Sequence, residues 1–444
     1  MKRVFSKLSA LFLLCLLWIA PVWAAEDVEA LKAQIELLKR QMAEMQATMQ
    51  AQIEALQKKL EEVQAKQPVA PAPKKANVVL SKPGIQWKLY GRVKVDLQYD
   101  TARFEKYNDF IGAVANRKRL VEIEKNKWVP ANPDYQNDST NFNPRDTRFG
   151  FWATYNKDQW LIKGRFEIDF YGTNSGNNLI PRMRLAYADI LNTNTNTSLR
   201  IGQDWIPVAQ LNPSTVDFGI LTAAGNLWWR VPQVTLRQKA FENFEFLVSL
   251  MKHRRTSTSN EDRMPWVLAR IAYTGGILGG KNMIALGGGY RHADYGKNTS
   301  KDTDRYLVVG EWKFAFFENT MIFKGEAWWG KGIGRNFLRY DLDLAPDGSP
   351  AEAYGGWADV TWKFAPRWSL TVGAGFDNPS NSDMPSVEKM TDRQFTKNVH
   401  YYANVWYKLT QPLSLGFEVV HIETERYNVT DTGNRFTFSM KYDF

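Results

Sequence analysis

The chain has 444 residues, which at roughly 150 residues per domain excludes a single small module. Aromatic residues make up 14% of it while the mean hydropathy is -0.42, a combination that argues against a bundle of membrane-spanning helices. With 44% hydrophobic residues, the chain is also too apolar to be mostly disordered. The formal net charge is +10, but the basic residues fall in a leader and on the polar faces of strands, so no nucleic acid partner is predicted.

Residues 1–25 have the pattern of a secretory signal peptide. Three basic residues precede an apolar run at 8–19, and small residues follow at a predicted cleavage point after Ala24 or Ala25. The run is too short to span a membrane as a helix. Cys15, the only cysteine, lies in this leader. The exported chain is therefore expected to have neither disulfides nor a thiolate metal site, and no cofactor is predicted.

Residues 26–66 are predicted to form an α-helical coiled coil. Strong helix formers dominate the segment, and its apolar residues follow one another in steps of three and four with one four-residue stutter before Ile53. Such a helix would be roughly 50 Å long. It must bury its apolar seam, either against copies of itself or by folding back on the main domain. Residues 67–77 contain Pro68, Pro71 and Pro73 and are predicted to be an extended linker.

From residue 78 to residue 444 the period changes to two. In the segment 85–100 apolar residues alternate with polar and charged ones, and the same alternation recurs up to the terminal residues 435–444. Sixteen candidate strands of about ten residues each can be counted, which is the length that a tilted strand needs to cross a bilayer. We therefore expect an all-β transmembrane barrel of about 16 antiparallel strands, with a soluble β-rich exported protein as the alternative.

The connections between these strands alternate in length. Short turns are predicted around residues 156–158, 192–196, 241–243, 318–319, 365–367 and 410–412. Long loops are predicted at 101–145, 206–226, 252–265, 330–350 and 377–397. Short turns at one end and long loops at the other are typical of outer-membrane barrels, whose long loops face outward. Both termini of the barrel fall at the short-turn end, so the coiled coil and Phe444 are predicted to be periplasmic.

A barrel of sixteen strands is wide enough for an aqueous lumen. Basic residues on the predicted inward faces outnumber acidic ones, and several lie side by side on the third to sixth strands: Lys163, Arg165, Arg182, Arg184, Arg200 and Arg237. Because arginine binds carboxylates bidentately, this ladder favours carboxylate solutes. The alternative is that these charges pair with one another and only hydrate the wall.

The long connection at residues 206–226 could either fold into the lumen, as the third loop of wide porins often does, or form a plain extracellular loop. In the first case Asp217 would be the lone carboxylate that faces the arginine ladder. Strict alternation fails around Arg230 and Pro232, where a β-bulge is expected.

Three motifs together with this domain order resemble the DcaP-like porins of Gram-negative outer membranes. The motifs are Leu-Tyr-Gly-Arg at 89–92, Val-Asp-Phe-Gly at 216–219 and Trp-Arg-Val-Pro-Gln-Val at 229–234. The resemblance implies a homotrimer with a three-helix coiled coil, uptake of small anions including dicarboxylates, and a constriction formed by Arg230 and Asp217. The family pattern has a second basic residue beside Arg230, whereas Trp229 and Val231 flank it here. Phe444 matches the terminal aromatic residue that the barrel assembly machinery reads.

The sequence thus predicts an outer-membrane porin with a water-filled, anion-preferring channel, surrounded by outer-membrane lipid and lipopolysaccharide. A non-selective diffusion porin and a non-conducting envelope tether or adhesin are the alternatives. No enzyme is predicted, because the four histidines show neither metal spacing nor a partnered nucleophile, and no nucleophile elbow or glycine-rich phosphate loop is found.

Overall fold

The computed structural model describes residues 84–444 except 106–110, 134–135, 173–177, 255–263, 278–279, 294–302 and 338–342. The predicted signal peptide, coiled coil and linker lie outside the described residues. No helix in the described part of the chain is long and apolar enough to cross a membrane.

Strands account for most of the described residues. They are β1 (Ile85–Asp100), β2 (Leu120–Glu124), β3 (Lys127–Pro130), β4 (Ser139–Asn143), β5 (Arg148–Lys157), β6 (Trp160–Asp169), β7 (Arg182–Asn192), β8 (Thr197–Trp205), β9 (Arg230–Ala240), β10 (Phe244–Met251), β11 (Trp266–Ile277), β12 (Gly280–Ala293), β13 (Thr303–Phe316), β14 (Met321–Lys331), β15 (Glu352–Ala365), β16 (Trp368–Pro379), β17 (Lys397–Lys408), β18 (Leu413–Arg426) and β19 (Val429–Asp443). A helical turn, α1 (Gly334–Phe337), and a 3-10 helix (Asn381–Asp383) lie in loops at the end of the barrel where the long loops are.

The strands close into one antiparallel barrel. β5 to β19 pair in sequence order, and β19 pairs back onto β1 from Arg92↔Asp443 to Asp100↔Arg435. On its other side β1 pairs with β5 through its first half and with β4 through its second half, so β4 and β5 act as one interrupted strand. Counted in this way, the described residues form sixteen barrel strands, which confirms the predicted number. β2 and β3 form a separate hairpin within the first long loop.

The barrel wall is apolar outside and polar inside. Along β1, Leu89 is 65% exposed on the outer face, while Lys94 and Asp96 on the inner face are almost completely buried. The same inversion recurs on the later strands, where large apolar residues such as Leu286 and Phe438 are exposed. A soluble barrel would bury its apolar face instead. The arrangement suits a surrounding bilayer and confirms the transmembrane barrel over the soluble alternative.

The two ends of the barrel differ as predicted. At one end, which we call the short-turn end, β5–β6, β7–β8, β9–β10, β13–β14, β15–β16 and β17–β18 are joined by two to four residues. Residues such as Asp158 and Asn319 adopt positive φ there, a conformation that Asp and Asn tolerate. The long loops lie at the opposite end, which we call the long-loop end, although β18 and β19 are joined there by a tight turn at residues 427–428.

Two hydrophobic clusters lie inside the barrel, between the wall and the segments that enter the lumen. One joins Ile206 and Leu227 to the wall residues Leu268 and Val309. The other joins residues of the first and third long loops to wall residues of β15, β17 and β18. Part of the lumen at the long-loop end is therefore a packed core.

The carboxyl terminus completes the seam between β1 and β19. The backbone N–H of Gly91 donates to the Phe444 carbonyl, and the N–H of Phe444 donates to the Gly91 carbonyl, both at 3.0 Å. The Phe444 ring lies over Gly91, because a Cβ added there would be 2.5 Å from its Cζ atom. Gly91 therefore leaves room for the terminal ring.

We expect Gly91→Ala to weaken barrel closure, because the new methyl group would collide with the Phe444 ring and with the Arg148 carbonyl. Overpacking of this kind costs about 1–3 kcal/mol. Heat-modifiable gel mobility after refolding into detergent should show a lower folded fraction and a lower unfolding temperature. Gly164→Ala is the matched control, because a Cβ there would have its nearest neighbour, the Ala153 Cβ, at 3.8 Å. Equal unfolding temperatures for the two variants would contradict this account of the seam.

Candidate functional site

The connection between β8 and β9, residues 206–229, folds into the lumen, and we call it the inward loop. Side chains on six consecutive strands hold it by accepting hydrogen bonds from its backbone N–H groups. The acceptors are Glu311 on β13, Glu326 on β14, Asp359 on β15, Asp377 on β16, His400 on β17 and Glu418 on β18. The structure thus decides between the two alternatives for this loop.

These contacts are short and buried. Glu418 accepts from Val216 at 2.8 Å and from Asp217 at 2.7 Å, and it is 1% exposed. Asp377 accepts from Gly225 at 2.6 Å, where the glycine adopts a φ of +100° and passes too close to the Gly356 backbone for any side chain. A buried carboxylate and a buried N–H group are both costly unless they are paired, and here each satisfies the other.

The inward loop also accepts hydrogen bonds from two lysines of the wall. Lys94 on β1 donates to the Val216 carbonyl at 2.9 Å, and Lys324 on β14 donates to the Asn212 carbonyl. The carboxylates of β13 to β18 thus form an acidic wall that the loop covers. The opposite side of the lumen is formed by β1 and β5 to β9. It faces the side of the loop that does not contact these carboxylates.

The side of the lumen opposite the acidic wall is rich in guanidinium groups. We call this side the basic wall. It comprises six arginines and one lysine, namely Arg92, Lys94, Arg148, Arg165, Arg182, Arg184 and Arg230. Arg184 donates to Glu167 at 2.6 Å and to Asp169 at 2.7 Å. Arg182 binds the same Asp169 bidentately at 2.9 and 2.8 Å, and Arg165 shares Glu167 at 3.1 Å. Three of the six residues of the predicted ladder, Arg165, Arg182 and Arg184, lie together here, and carboxylates are interleaved with them.

A shift in strand register brings these arginines together. The pairing of β6 and β7 moves by one residue between Glu167 and Ile168, so that Arg182 and Arg184 both reach Asp169. The bulge expected at Arg230 and Pro232 is not present, because β8 and β9 pair without interruption from Thr197↔Gln238 to Trp205↔Arg230. The irregularity lies two strands away from the predicted position.

Three cations of the basic wall share one carboxylate. The Asp146 side chain contacts Arg92 at 2.5 Å, Arg148 at 2.7 Å and Lys94 at 3.5 Å, and it is 3% exposed. Lys94 also binds Asp96 at 2.6 Å. Arg92 and Arg148 keep 22% and 18% of their side chains exposed, so both remain accessible from the lumen.

The inward loop presents Phe218, rather than Asp217, to the basic wall. The guanidinium carbons of Arg184, Arg148 and Arg230 lie 5.3, 5.4 and 5.9 Å from the Phe218 ring centre, within cation–π range. An aromatic ring touches these arginines without neutralising them.

The expectation that Asp217 faces the arginine ladder is wrong. Its side chain is 1% exposed, and it accepts from Arg435 on β19 at 2.8 Å and from Gln98 on β1 at 2.9 Å. Arg435 in turn binds Asp100 bidentately at 2.6 and 2.7 Å. Because Asp217 already has these buried partners, it anchors the loop instead of lining the passage.

Arg230 stands behind the lining of the passage. It stacks on Trp205 at 4.8 Å, and its Nη1 atom is 4.0 Å from Asp169. Within the described residues this Nη1 has no hydrogen-bond partner.

Lys163, Arg200 and Arg237 lie on β6, β8 and β9, nearer the short-turn end than the basic wall. Arg200 bridges Asp189 and Asp204 at 2.5 Å each and stacks on Tyr187 at 4.3 Å. Arg237 is two residue pairs further along the β8–β9 ladder, opposite Ser198, and Lys163 is exposed opposite Asp189 on β7. The six predicted ladder residues are thus divided into two groups.

A cavity of about 340 Å³ separates the inward loop from the basic wall. Five cations line it, namely Arg92, Lys94, Arg148, Arg184 and Lys441, and among the described residues Asp146 is its only lining carboxylate. Trp205, Phe218, Trp228 and Trp406 provide its aromatic lining. The sequence analysis did not single out Arg148, which follows the predicted loop at 101–145, although its alternation with Gly150 and Trp152 places it on the inner face.

No protein-family model and no curated protein matches the chain. Solved structures do match it. The outer membrane channel DcaP of Acinetobacter baumannii has 21% identity and a TM-score of 0.66, over 82% of this chain and 99% of that chain. An anion-selective porin from Comamonas acidovorans has 11% identity and a TM-score of 0.54, over 81% of this chain and 100% of that chain. OprB of Pseudomonas putida has 8% identity and a TM-score of 0.52, over 81% and 94%.

At these identities the likeness shows the fold. The chain has the sixteen-stranded barrel fold of outer-membrane porins, so the predicted resemblance to DcaP-like porins is confirmed for the fold.

Removal of the Glu418 carboxylate should loosen the inward loop. Glu418→Ala leaves two buried N–H groups without their acceptor, each at a cost of about 1–3 kcal/mol. We expect a lower unfolding temperature and a larger, noisier single-channel conductance, with Glu418→Gln intermediate because its amide keeps one acceptor oxygen. Glu423→Ala on the same strand touches no part of the loop and serves as the control. A Glu418→Ala channel with the conductance of the unmodified protein would show that the loop is held without this contact.

Proposed function

We propose that this protein is an outer-membrane porin whose water-filled channel prefers small anions, including dicarboxylates. The observation that carries the proposal is the cavity between the inward loop and the basic wall, which five cations and one carboxylate line. Most inward carboxylates of β13 to β18 are bound to the loop, and they are therefore unavailable to attract cations in the passage.

The chemistry of the cavity favours carboxylate solutes over spherical ions. Arg92 and Arg148 are partly exposed, and a guanidinium group offers two parallel N–H donors that match a carboxylate. The carboxylates that pair with these arginines hold the guanidinium planes in place. Less side-chain conformational entropy is therefore lost when a solute binds. The same pairing reduces the net positive charge, so we expect a preference for anions rather than an exclusion of cations.

The same fold supports a proposal for the location and the partners. The apolar outer face supports insertion into the outer membrane, with lipid and lipopolysaccharide around the barrel. We further propose that the short-turn end faces the periplasm, that the helix at residues 26–66 and the barrel walls hold a homotrimer, and that the barrel assembly machinery reads Phe444.

The first test is the zero-current potential of the protein in a planar bilayer across a salt gradient. Removal of one lumen cation by Arg148→Gln should lower the anion-to-cation permeability ratio by about two- to fivefold, because a unit charge at contact distance in water contributes about 1 kcal/mol. Lys125→Gln, which removes an equal charge from the hairpin turn between β2 and β3, should change nothing.

The outcomes separate the alternatives. A wild-type channel without selectivity would indicate a non-selective diffusion porin, and the absence of conductance would favour an envelope tether. Equal shifts for both variants would show that the overall charge, and not the cavity, sets the selectivity.

A charge-conserving change tests the role of the guanidinium geometry. Arg148→Lys keeps the positive charge but loses the pair of parallel donors. We expect the anion preference for chloride to persist, while the concentration of succinate that halves the current rises about threefold or more. Block by succinate that is unchanged in Arg148→Lys and weakened in Arg148→Gln would show that charge alone attracts the dicarboxylate.

A further inference from the structure

A second basic cavity lies at the short-turn end of the lumen. Its volume is about 240 Å³, and we call it the lysine vestibule. Four cations line it, namely Lys363, Arg367, Lys408 and Lys441, and no described carboxylate lines it. Lys363 and Lys408 lie on the inner faces of β15 and β17, and Arg367 is in the turn between β15 and β16.

The strand register places a hydroxyl group between two of the lysines. Lys408 pairs directly with Ser414 on β18, and Ser414 pairs directly with Lys441 on β19. Neighbouring strands are about 4.8 Å apart, so the two lysine stems rise about 10 Å apart with the serine hydroxyl between them. Two ammonium groups and one hydroxyl donor can therefore converge on one bound anion.

Most of these cations have no paired counter-charge among the residues that the structure describes. Lys363, Arg367 and Lys408 form no ion pair within the described part of the chain, whereas Lys441 contacts Asp443 at 3.0 Å. This differs from the basic wall, where carboxylates are interleaved with the arginines. Like charges held around one small cavity repel one another, and a bound dianion would remove that repulsion.

The two cavities are joined through shared side chains. Trp406 and Lys441 line both of them, and the Lys441 ammonium group is 5.2 Å from the Trp406 ring centre. Trp406 pairs with Gly416 on β18, where an added Cβ would lie 2.9 Å from the indole Cζ3 atom. Because Gly416 has no side chain, the indole can pack against the wall at this position.

We propose that the lysine vestibule is a second binding station for small dianions that carry carboxylate or phosphate groups. An anion that leaves the cavity between the inward loop and the basic wall passes Trp406 and Lys441 and is taken up between Lys408, Ser414 and Lys441. Ammonium groups act as point charges without the planar preference of arginine, so the vestibule accepts carboxylate and phosphate alike. The inference rests on the proposed function, because it assigns the next station on the same anion path.

The test attaches a charged reagent to the sulfur atom of a single introduced cysteine after the barrel has folded. The only cysteine of the chain is Cys15 in the predicted signal peptide, so a cysteine introduced into the exported barrel would be its single thiol. In Ser369→Cys all four vestibule cations remain, and we expect an anionic methanethiosulfonate to react about tenfold faster than its cationic analogue, relative to a free thiol. Lys157→Cys, at the same end of the barrel but outside the vestibule, should show the ratio of a free thiol.

Ligand protection gives the second readout. Succinate or inorganic phosphate at millimolar concentration should slow the modification of Ser369→Cys and leave Lys157→Cys unaffected, and an added Lys363→Gln change should weaken both the rate ratio and the protection. Equal rate ratios in the two cysteine variants, or protection by neither dianion, would overturn the proposal.

The wild-type zero-current potential keeps this result separate from the proposed function. An anion-selective channel without protection refutes only the vestibule, whereas protection in a channel without selectivity refutes only the anion preference.

Discussion

The lumen depends on one kind of interaction. Carboxylates of the barrel wall accept hydrogen bonds from backbone N–H groups of the inward loop. Six consecutive strands supply an acceptor, and five of these acceptors are carboxylates. In a lumen filled with water the same acidic side chains would face the solute path. Because the loop covers them, they stabilise its position and are removed from the path at the same time.

This arrangement separates charge across the lumen. The basic wall faces the uncovered side of the loop, and its carboxylates hold the guanidinium groups in place. Asp217 would disturb the separation if it pointed toward the arginines. Its burial against Arg435 instead leaves Phe218 to face them, and an aromatic ring contacts cations without cancelling their charge.

The basic side chains that line the lumen change from mainly arginines to mainly lysines toward the short-turn end. Paired arginines around Asp146 line the cavity at the inward loop, and toward the short-turn end follow Lys363 and Lys408, which form no ion pair within the described residues. Trp406 and Lys441 belong to both regions. Donors line both cavities, and on the proposed anion path a solute would exchange one set of donors for the next, which is how a channel can bind a solute and still release it.

The sequence by itself determined the barrel, because its signals are local. A period of two along each strand shows which residues face lipid, and short turns alternate with long loops within a few dozen residues. The inward position of Glu326, Glu418 and the basic residues of β6 and β7 followed from the same alternation. Only the tertiary structure decided which of these charges remain available. The contact between Val216 and Glu418 joins residues 202 positions apart, and that between Asp217 and Arg435 joins residues 218 apart. No local pattern records such pairings, and the register shift between β6 and β7 and the turn of Asp217 away from the arginines depend on them.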